Sequence, residues 1–236
     1  MTASKHTKET ILFTIDVEDW FQVENFRPYI PRESWNRLDL RVEKNVHRLL
    51  DLLDAKQTAC ATRSGGSEKP RATFFMLGWI AERVPGLVRE VAERGHEVAS
   101  HGFHHDLCGR LAPAELEQDL THSKKLLEDI IGRPVIGYRA PSFSVNNRIL
   151  ETIEGCGYLY DASYNSFEMN SRYGKVDLRT HKKNGISYQM PNHFQELPLS
   201  NVTVYKKTLP FGGGGYFRLY PFAVMEKGIR HMLNAD

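Results

Sequence analysis

Residues 11–15 read Ile-Leu-Phe-Thr-Ile, an almost continuous apolar run that is followed at once by acidic residues. A short run of this kind is typical of a buried strand in a parallel sheet. Asp16, Glu18 and Asp19 then fall at its carboxyl end. In parallel α/β folds the carboxyl ends of the strands form one rim, where active sites assemble. This stretch therefore predicts an α/β fold and the edge of the sheet at which functional side chains meet.

The rest of the chain repeats this alternation of short apolar strands and amphipathic helices. Such a pattern predicts parallel strands that are joined by right-handed crossovers. Further strands are predicted at 72–77, 97–100, 135–138 and 158–160, and helices at 40–54, 87–92, 115–131, 148–154 and 223–233. Three segments have loop composition instead, which predicts an exposed loop at 55–71, a long loop region at 164–195 and a glycine-rich turn at 210–220.

Composition favours one globular domain without a nucleic-acid or membrane partner. The chain has 236 residues, 41% of them apolar, and we predict a disordered tail at 1–9 and a single domain at 10–236. The net charge of +2 gives no general argument for binding nucleic acid or an anionic membrane. The polar start and the lack of a stretch of about 18 apolar residues predict neither a signal peptide nor a membrane span. We therefore expect a cytoplasmic location.

Three further polar clusters follow predicted strands, and they extend the rim that begins with Asp16. His101, His104 and His105 follow one strand, Arg139 follows the next, and Asp161 follows the last. On a helical turn, the i, i+4 spacing of His101 and His105 would turn both rings to one face, where they could chelate a divalent metal. The alternative is a pair of exposed or capping histidines in a loop.

Each acidic residue of the rim also has two interpretations. Asp16 is either a helix cap or the salt-bridge partner of Arg139, or it is a general base held near a metal-bound water. Glu18 or Asp19 would supply the oxygen ligand of a site with two histidines and one carboxylate, and the sequence leaves both open. Asp161 either caps the segment that follows it or supports the rim electrostatically.

Four motifs on this rim resemble those of the carbohydrate esterase family that includes chitin, peptidoglycan and nodulation-factor deacetylases. They are Thr14-Ile15-Asp16-Val17-Glu18-Asp19, His101-Gly102-Phe103-His104-His105, Arg139-Ala140-Pro141 and Asp161-Ala162-Ser163. The form of residues 16–21, together with residues 213–218, is similar to one branch, the deacetylases associated with exosortase-linked exopolysaccharide gene clusters.

The resemblance implies a distorted (β/α) barrel with fewer than eight regular strands and a metal-dependent hydrolase. Zinc or a similar divalent ion would be held by His101, His105 and one carboxylate. Asp16 would act as the base, and Arg139 would orient it. The implied substrate is an N-acetylated polysaccharide or oligosaccharide, and in that branch a bacterial exopolysaccharide.

Three residues near the rim are candidates for contact with sugar. Trp20 and Tyr138 would offer a stacking surface for sugar rings, or else they belong to the core. Pro141 would stiffen the loop beside them. These assignments complete the set of candidate site residues.

Two departures from the family pattern leave the function open. Val17 stands where the family has a second aspartate, and the late Leu-x-His motif, whose histidine is the family's general acid, is missing. We therefore expect a barrel that is incomplete at its C-terminus. The alternatives to a deacetylase are a hydrolase of small amides such as allantoin, and an inactive metal-binding chain that only binds carbohydrate.

Overall fold

The fold is built on a sheet of eight strands with helices packed against one face. The structure, a computed structural model, describes residues 11–64, 70–167, 172–204 and 207–233. The strands are β1 (Phe13–Val17), β2 (Ala72–Met76), β3 (Glu97–Ser100), β4 (Gly137–Tyr138), β5 (Tyr160–Asp161), β6 (Lys182–Asn184), β7 (Ser187–Gln189), β8 (Gln195–Glu196), β9 (Val202–Val204) and β10 (Lys207–Leu209). The helices are α1 (Val42–Ser64), α2 (Gly78–Arg83), α3 (Pro85–Glu93), α4 (Pro113–Ile131), α5 (Asn147–Gly155), α6 (Gly214–Leu219) and α7 (Phe222–Leu233).

Most of the main sheet is parallel. Its strand order is β1-β2-β3-β4-β5-β8-β7-β6, and the pairs from β1 to β8 are all parallel. Strands β8, β7 and β6 are antiparallel, while β9 and β10 form a separate two-stranded sheet. Because parallel neighbours end at the same edge, the carboxyl ends of β1, β3, β4 and β5 lie on one rim, as the sequence pattern predicts.

The predicted elements up to residue 160 are present, but several boundaries and loops were wrong. Strand β1 runs to Val17, so Asp16 lies inside the strand and not after it. The loop predicted at 55–71 is helical as far as Ser64, because α1 continues about three turns beyond Leu53, its last regular apolar position. Residues 65–69 lie outside the described residues.

Three further short elements were missed, two of them in predicted loops. Helix α2 has only six residues, too few to show a periodic pattern. The 164–195 region contains the polar hairpin β6–β7, whose strands have three residues each. The glycine-rich turn at 210–220 contains α6. None of the described helices combines the length and the apolar composition that a bilayer-spanning segment needs.

The period-two alternation of strand side chains separates the core from the face that carries the site. On β2, Phe74 and Met76 lie in the large core beneath the helices, whereas Phe75 belongs to a small cluster on the opposite face. On β1, the same alternation places Thr14 and Asp16 on the face opposite the core, where both contact one arginine. The strand pattern therefore decides which polar groups point toward the site.

Helix α4 covers the sheet with a buried stripe that includes Leu120 and Leu127. Glu115 stabilises its first turn by accepting a hydrogen bond from the backbone N–H of Ala112 at 2.8 Å. Gly132 ends the helix in a left-handed conformation with φ of 67°.

We expect Leu127→Ala to lower the free energy of unfolding by about 2–5 kcal/mol, because the side chain is fully buried and its removal leaves a cavity. Lys125→Ala, an exposed change on the same helix, should stay within about 0.5 kcal/mol of the wild type. Urea denaturation measures both values. Equal effects of the two changes would show that the apolar stripe of α4 is not packed as described.

Candidate metal centre and active-site rim

Two histidines and one glutamate converge at the rim. Glu18 follows β1, and His101 and His105 follow β3; each offers one ligand atom, and these atoms lie within 4.8 Å of one another. Both histidines are buried, and the Glu18 side chain is 22% exposed. Nitrogen and oxygen donors in this combination suit zinc and similar divalent ions. The structure thus places together three of the four residues that the sequence marks as candidate ligands.

The two histidines converge through loop geometry and not through the helical turn that their spacing suggested. Residues 101–105 are not helical, and Gly102 and His105 have φ values of 73° and 58°. Asp119 of α4 holds this loop, since its carboxylate accepts the backbone N–H of Phe103 at 3.1 Å. A side chain at Gly102 would crowd Asp119, because its Cβ would lie 2.9 Å from the carboxylate. His104 is outside the ligand group.

The hydrogen bonds of the histidine rings leave donor atoms that fit a metal. His101 Nδ1 lies 2.7 Å from the carbonyl oxygen of Arg139, so this nitrogen carries the proton and Nε2 is left as the ligand atom. Burial lowers the pKa of His101, which favours the neutral ring that binds metals. His105 Nε2 lies 2.7 Å from Glu18 Oε2.

Two buried atoms of this group lack hydrogen-bond partners among the described residues. They are His105 Nδ1 and Glu18 Oε2, the second despite its short contact with the His105 ring. Burial acts to lower the pKa of His105, but the Glu18 carboxylate offsets this effect and the pKa is raised overall. Unsatisfied buried polar atoms are costly, and a cation held between the His105 ring and Glu18 would give Glu18 Oε2 a partner. The residues present therefore fit a divalent ion.

Asp19 lies apart from this group, although the sequence left it as an alternative ligand. Its Oδ2 accepts the backbone N–H groups of Arg41 at 2.6 Å and Val42 at 2.9 Å, at the start of α1. Its Oδ1 accepts the N–H of Trp20 at 2.8 Å. Both carboxylate oxygens of Asp19 therefore accept hydrogen bonds from backbone N–H groups that have no backbone partner, at the start of α1 and in the turn at Trp20. Asp19 is a helix-capping residue in this structure.

Asp16 is held beside the ligand group by Arg139. The guanidinium Nη1 donates to Asp16 Oδ1 at 2.8 Å and to Thr14 Oγ1 at 2.9 Å, while Nε donates to the carbonyl of Ala162 at 2.8 Å. The guanidinium also lies 4.1 Å from the centre of the Phe75 ring. Burial acts to raise the pKa of Asp16, but Arg139 and the two histidines outweigh it, so the pKa is lowered. Asp16 is therefore ionised near neutral pH.

Asp161 does not reach the ligand group. It is fully buried and accepts hydrogen bonds from the backbone N–H of Ser163 at 2.9 Å and from the Ser163 hydroxyl at 2.7 Å. Its strand neighbour is Glu196 of β8, another fully buried acid. Burial and the Asp161 charge raise the pKa of Glu196, so the proton of this pair lies on Glu196. No pattern in the sequence marks Glu196, because its strand has only two residues.

The residues expected to contact sugar are mostly buried, which corrects that prediction. Tyr138 is fully buried with its hydroxyl 3.3 Å from Cys108 Sγ, so its ring has no open face for a ligand. Pro141 is buried as well. Trp20 is 37% exposed, but it packs edge-on against Phe21 and does not line the cavity beside the ligand group.

A cavity of about 220 Å³ opens over Asp16 and the ligand group. Besides the four rim residues, the cavity is lined by residues that include Ser142, Phe143, Arg172 and Tyr173. The sequence did not mark these residues, because they follow Pro141 in a strained turn or lie in the loop predicted at 164–195. A small, largely polar chamber with an ionised carboxylate and three metal-type donors can hold a metal ion and take a proton from a bound water.

Comparison with known proteins finds similarity to deacetylases in part of this chain. Residues 67–160 match the family model described as polysaccharide deacetylase, and residues 162–236 match a domain of unknown function, DUF3473. The peptidoglycan-N-acetylglucosamine deacetylase of Bacillus cereus is 33% identical over 90 residues, which are 38% of this chain and 42% of that protein. The chitooligosaccharide deacetylase of Azorhizobium caulinodans is 32% identical over 87 residues, which are 36% of this chain and 41% of that protein.

A solved structure extends the likeness to the fold. A Mycobacterium smegmatis protein assigned to the polysaccharide deacetylases aligns with a TM-score of 0.59 at 22% identity, over 95% of this chain and 72% of that one. The expected α/β fold of the deacetylase type is thereby confirmed. In sequence, residues 67–160 are similar to the polysaccharide deacetylases. The chain spans about two fifths of the length of the curated relatives it matches.

Removing the Glu18 carboxylate should weaken metal binding while removing that of Asp19 should not. We expect Glu18→Gln to lower zinc affinity by at least about tenfold, because one of three ligands loses its charge. Asp19→Ala should keep the zinc affinity and lower the free energy of unfolding by about 1–2 kcal/mol, since it removes a helix cap. Zinc titration and urea denaturation measure the two effects, and the reverse pattern would assign the ligand role to Asp19.

Replacing Glu196 should change how stability depends on pH. A raised pKa means that the folded protein keeps a proton which the unfolded chain releases above about pH 4.5. The wild type therefore loses stability relative to Glu196→Gln as pH rises from there to the folded-state pKa, by up to about 1.4 kcal/mol per pH unit. Urea denaturation at pH 4 to 8 measures this, with the exposed change Glu151→Gln as control. A constant difference between wild type and Glu196→Gln would contradict the assignment.

Proposed function

We propose that this chain is a metal-dependent N-deacetylase that hydrolyses the acetamido group of sugars in a polysaccharide or oligosaccharide. The observation that carries the proposal is the convergence of Glu18, His101 and His105 beside an ionised Asp16 at the base of one cavity. The match of residues 67–160 to the polysaccharide deacetylases supports the reaction class. The motif forms at residues 16–21 and 213–218 favour a bacterial exopolysaccharide as the natural substrate.

The chemistry divides between the ion and the residues beside it. A divalent ion held by Glu18, His101 and His105 would polarise the acetyl carbonyl and make water easier to deprotonate. Asp16 is the base: Arg139 binds its Oδ1 and leaves Oδ2 to accept the proton of the attacking water. The bond between the acetyl carbon and the sugar nitrogen then breaks, which yields acetate and an amine.

Arg139 positions the base and does not itself touch the reacting atoms. Its bonds to Thr14 and to the Ala162 carbonyl fix the guanidinium from two sides, so Asp16 is held in one orientation. The His101 ring is oriented by the carbonyl of the same arginine. One residue therefore sets the geometry of both the base and a ligand, as residues behind a metal site commonly do.

The departing amine needs a proton, and no further histidine in the described part of the cavity lining is available to donate it. Among the described residues that line the cavity, the only histidines are the two candidate ligands. Loss of a general acid typically costs about 10²–10⁴-fold in rate. We therefore expect slow turnover, with Asp16 returning its proton to the nitrogen.

The proposal is tested with chitopentaose and added zinc, by measuring released acetate. Asp16→Asn should lower kcat by about 10²-fold or more and keep the bound zinc, because it removes the base and leaves the ligands. Asp129→Asn, an exposed change on α4, serves as the matched control. Dipicolinate should abolish the activity, and zinc should restore it.

Three results would contradict the proposal. Acetate release that survives complete removal of metal would exclude the role of the ion. Hydrolysis of allantoin without acetate release from glycans would favour a small-amide hydrolase. Glycan binding without hydrolysis at any metal concentration would favour a carbohydrate-binding chain.

A further inference from the structure

Two aromatic side chains, Phe143 and Tyr173, line the cavity and form what we call its aromatic wall. Their rings meet edge to face with centres 5.4 Å apart. Tyr173 lies within the segment that matches DUF3473, whereas Phe143 lies within the deacetylase match. The cavity is therefore built jointly by the two matched parts of the chain.

The segment that carries Tyr173 is fixed against the Phe143 loop by direct contact between backbones. The N–H of Gly174 donates to the carbonyl of Phe143 at 2.9 Å. A Cβ at Gly174 would lie 1.5 Å from the carbonyl oxygen of Val145, so only glycine permits this approach. These backbone contacts of Gly174 fix the position of the adjacent Tyr173 beside the cavity.

Helix α6 brings a second tyrosine close to Tyr173. Burial raises the pKa of Tyr216 on this helix to about 12, and the neighbouring Tyr173 side chain adds to the rise. Tyr216 stacks in turn on Tyr220, with ring centres 6.4 Å apart. Helix α6 therefore lies next to Tyr173, and its residues do not line the cavity.

The Phe143 loop is strained in a way that turns it toward the cavity. Ser142 and Phe143 have φ values of 50° and 57°, in the left-handed region that non-glycine residues rarely adopt. Such strain persists only where the surroundings impose it, and it is concentrated at ligand-binding positions. Gly174 is the neighbour whose hydrogen bond holds this loop.

A cavity that is lined both by aromatic rings and by metal-type donors suits one chemical class of ligand. A pyranose ring has an apolar C–H face that packs on aromatic rings and a hydroxyl edge that needs polar partners. We propose that Phe143 and Tyr173 form a stacking wall for the pyranose whose acetamido group faces Asp16, and that residues 172–174 thereby determine which glycans are accepted. This inference rests on the proposed deacetylase function.

Steady-state kinetics on chitopentaose with saturating zinc tests this role. Tyr173→Ala should raise KM by about three- to tenfold and change kcat by less than about twofold, because stacking binds substrate and transition state alike. Tyr173→Phe keeps the ring and should stay within about twofold of the wild-type KM. Gly174→Ala should raise KM as Tyr173→Ala does, since it displaces the segment. Tyr29→Ala, 81% exposed and outside the cavity, is the matched control.

Bound zinc is measured for every variant, so that misfolding is separated from loss of the wall. If KM is unchanged in Tyr173→Ala while the wild type is active, the stacking inference is wrong and the proposed function still stands. A KM in Tyr173→Phe as high as in Tyr173→Ala would overturn stacking, because the ring is retained. A wild type that releases no acetate would refute the proposed function, and the inference would fall with it.

Discussion

The structure of the rim depends on Arg139. Its backbone N–H binds the carbonyl of Ser100 at 2.9 Å and joins β4 to β3, and its own carbonyl binds the ring of His101. Its guanidinium reaches Asp16 on β1 and the Ala162 carbonyl after β5. The backbone and the side chain of this one residue therefore connect the ends of four strands. A shorter or uncharged residue would leave Asp16 as an uncompensated acid on the rim.

The buried charges of the rim explain why its parts are interdependent. Ionised groups away from water are stable only when paired or bound to a metal. Asp16 is paired with Arg139, and the Glu18 and histidine donors suit a cation. Behind them, Asp161 and Glu196 coexist because one of the two keeps its proton. Each of these charged groups is stable in the fold only because a neighbouring group compensates it, so the residues of the site depend on one another.

The cavity shows how a remote segment can shape a site whose chemistry lies elsewhere. The base lies in β1, and the candidate ligands lie in the segments that follow β1 and β3. The aromatic wall lies in two loops, which a backbone hydrogen bond from Gly174 to Phe143 holds together. Loops vary more readily than strands, so this wall is the part that can change specificity without disturbing the chemistry.

The sequence by itself determined the parallel sheet, the rim and most of the residue types on it. Strand alternation and apolar runs are local properties, so β1 to β5 and α3 to α5 could be predicted within a few residues. Side-chain direction outside regular elements was decided only by tertiary packing. Glu18 and Asp19 are adjacent and chemically alike, yet one joins the histidines and the other caps α1, because the partners of each lie far along the chain. The burial of Tyr138 and the position of Tyr173 in the cavity could not be predicted for the same reason. Both depend on contacts between distant segments, which leave no periodic pattern in the sequence.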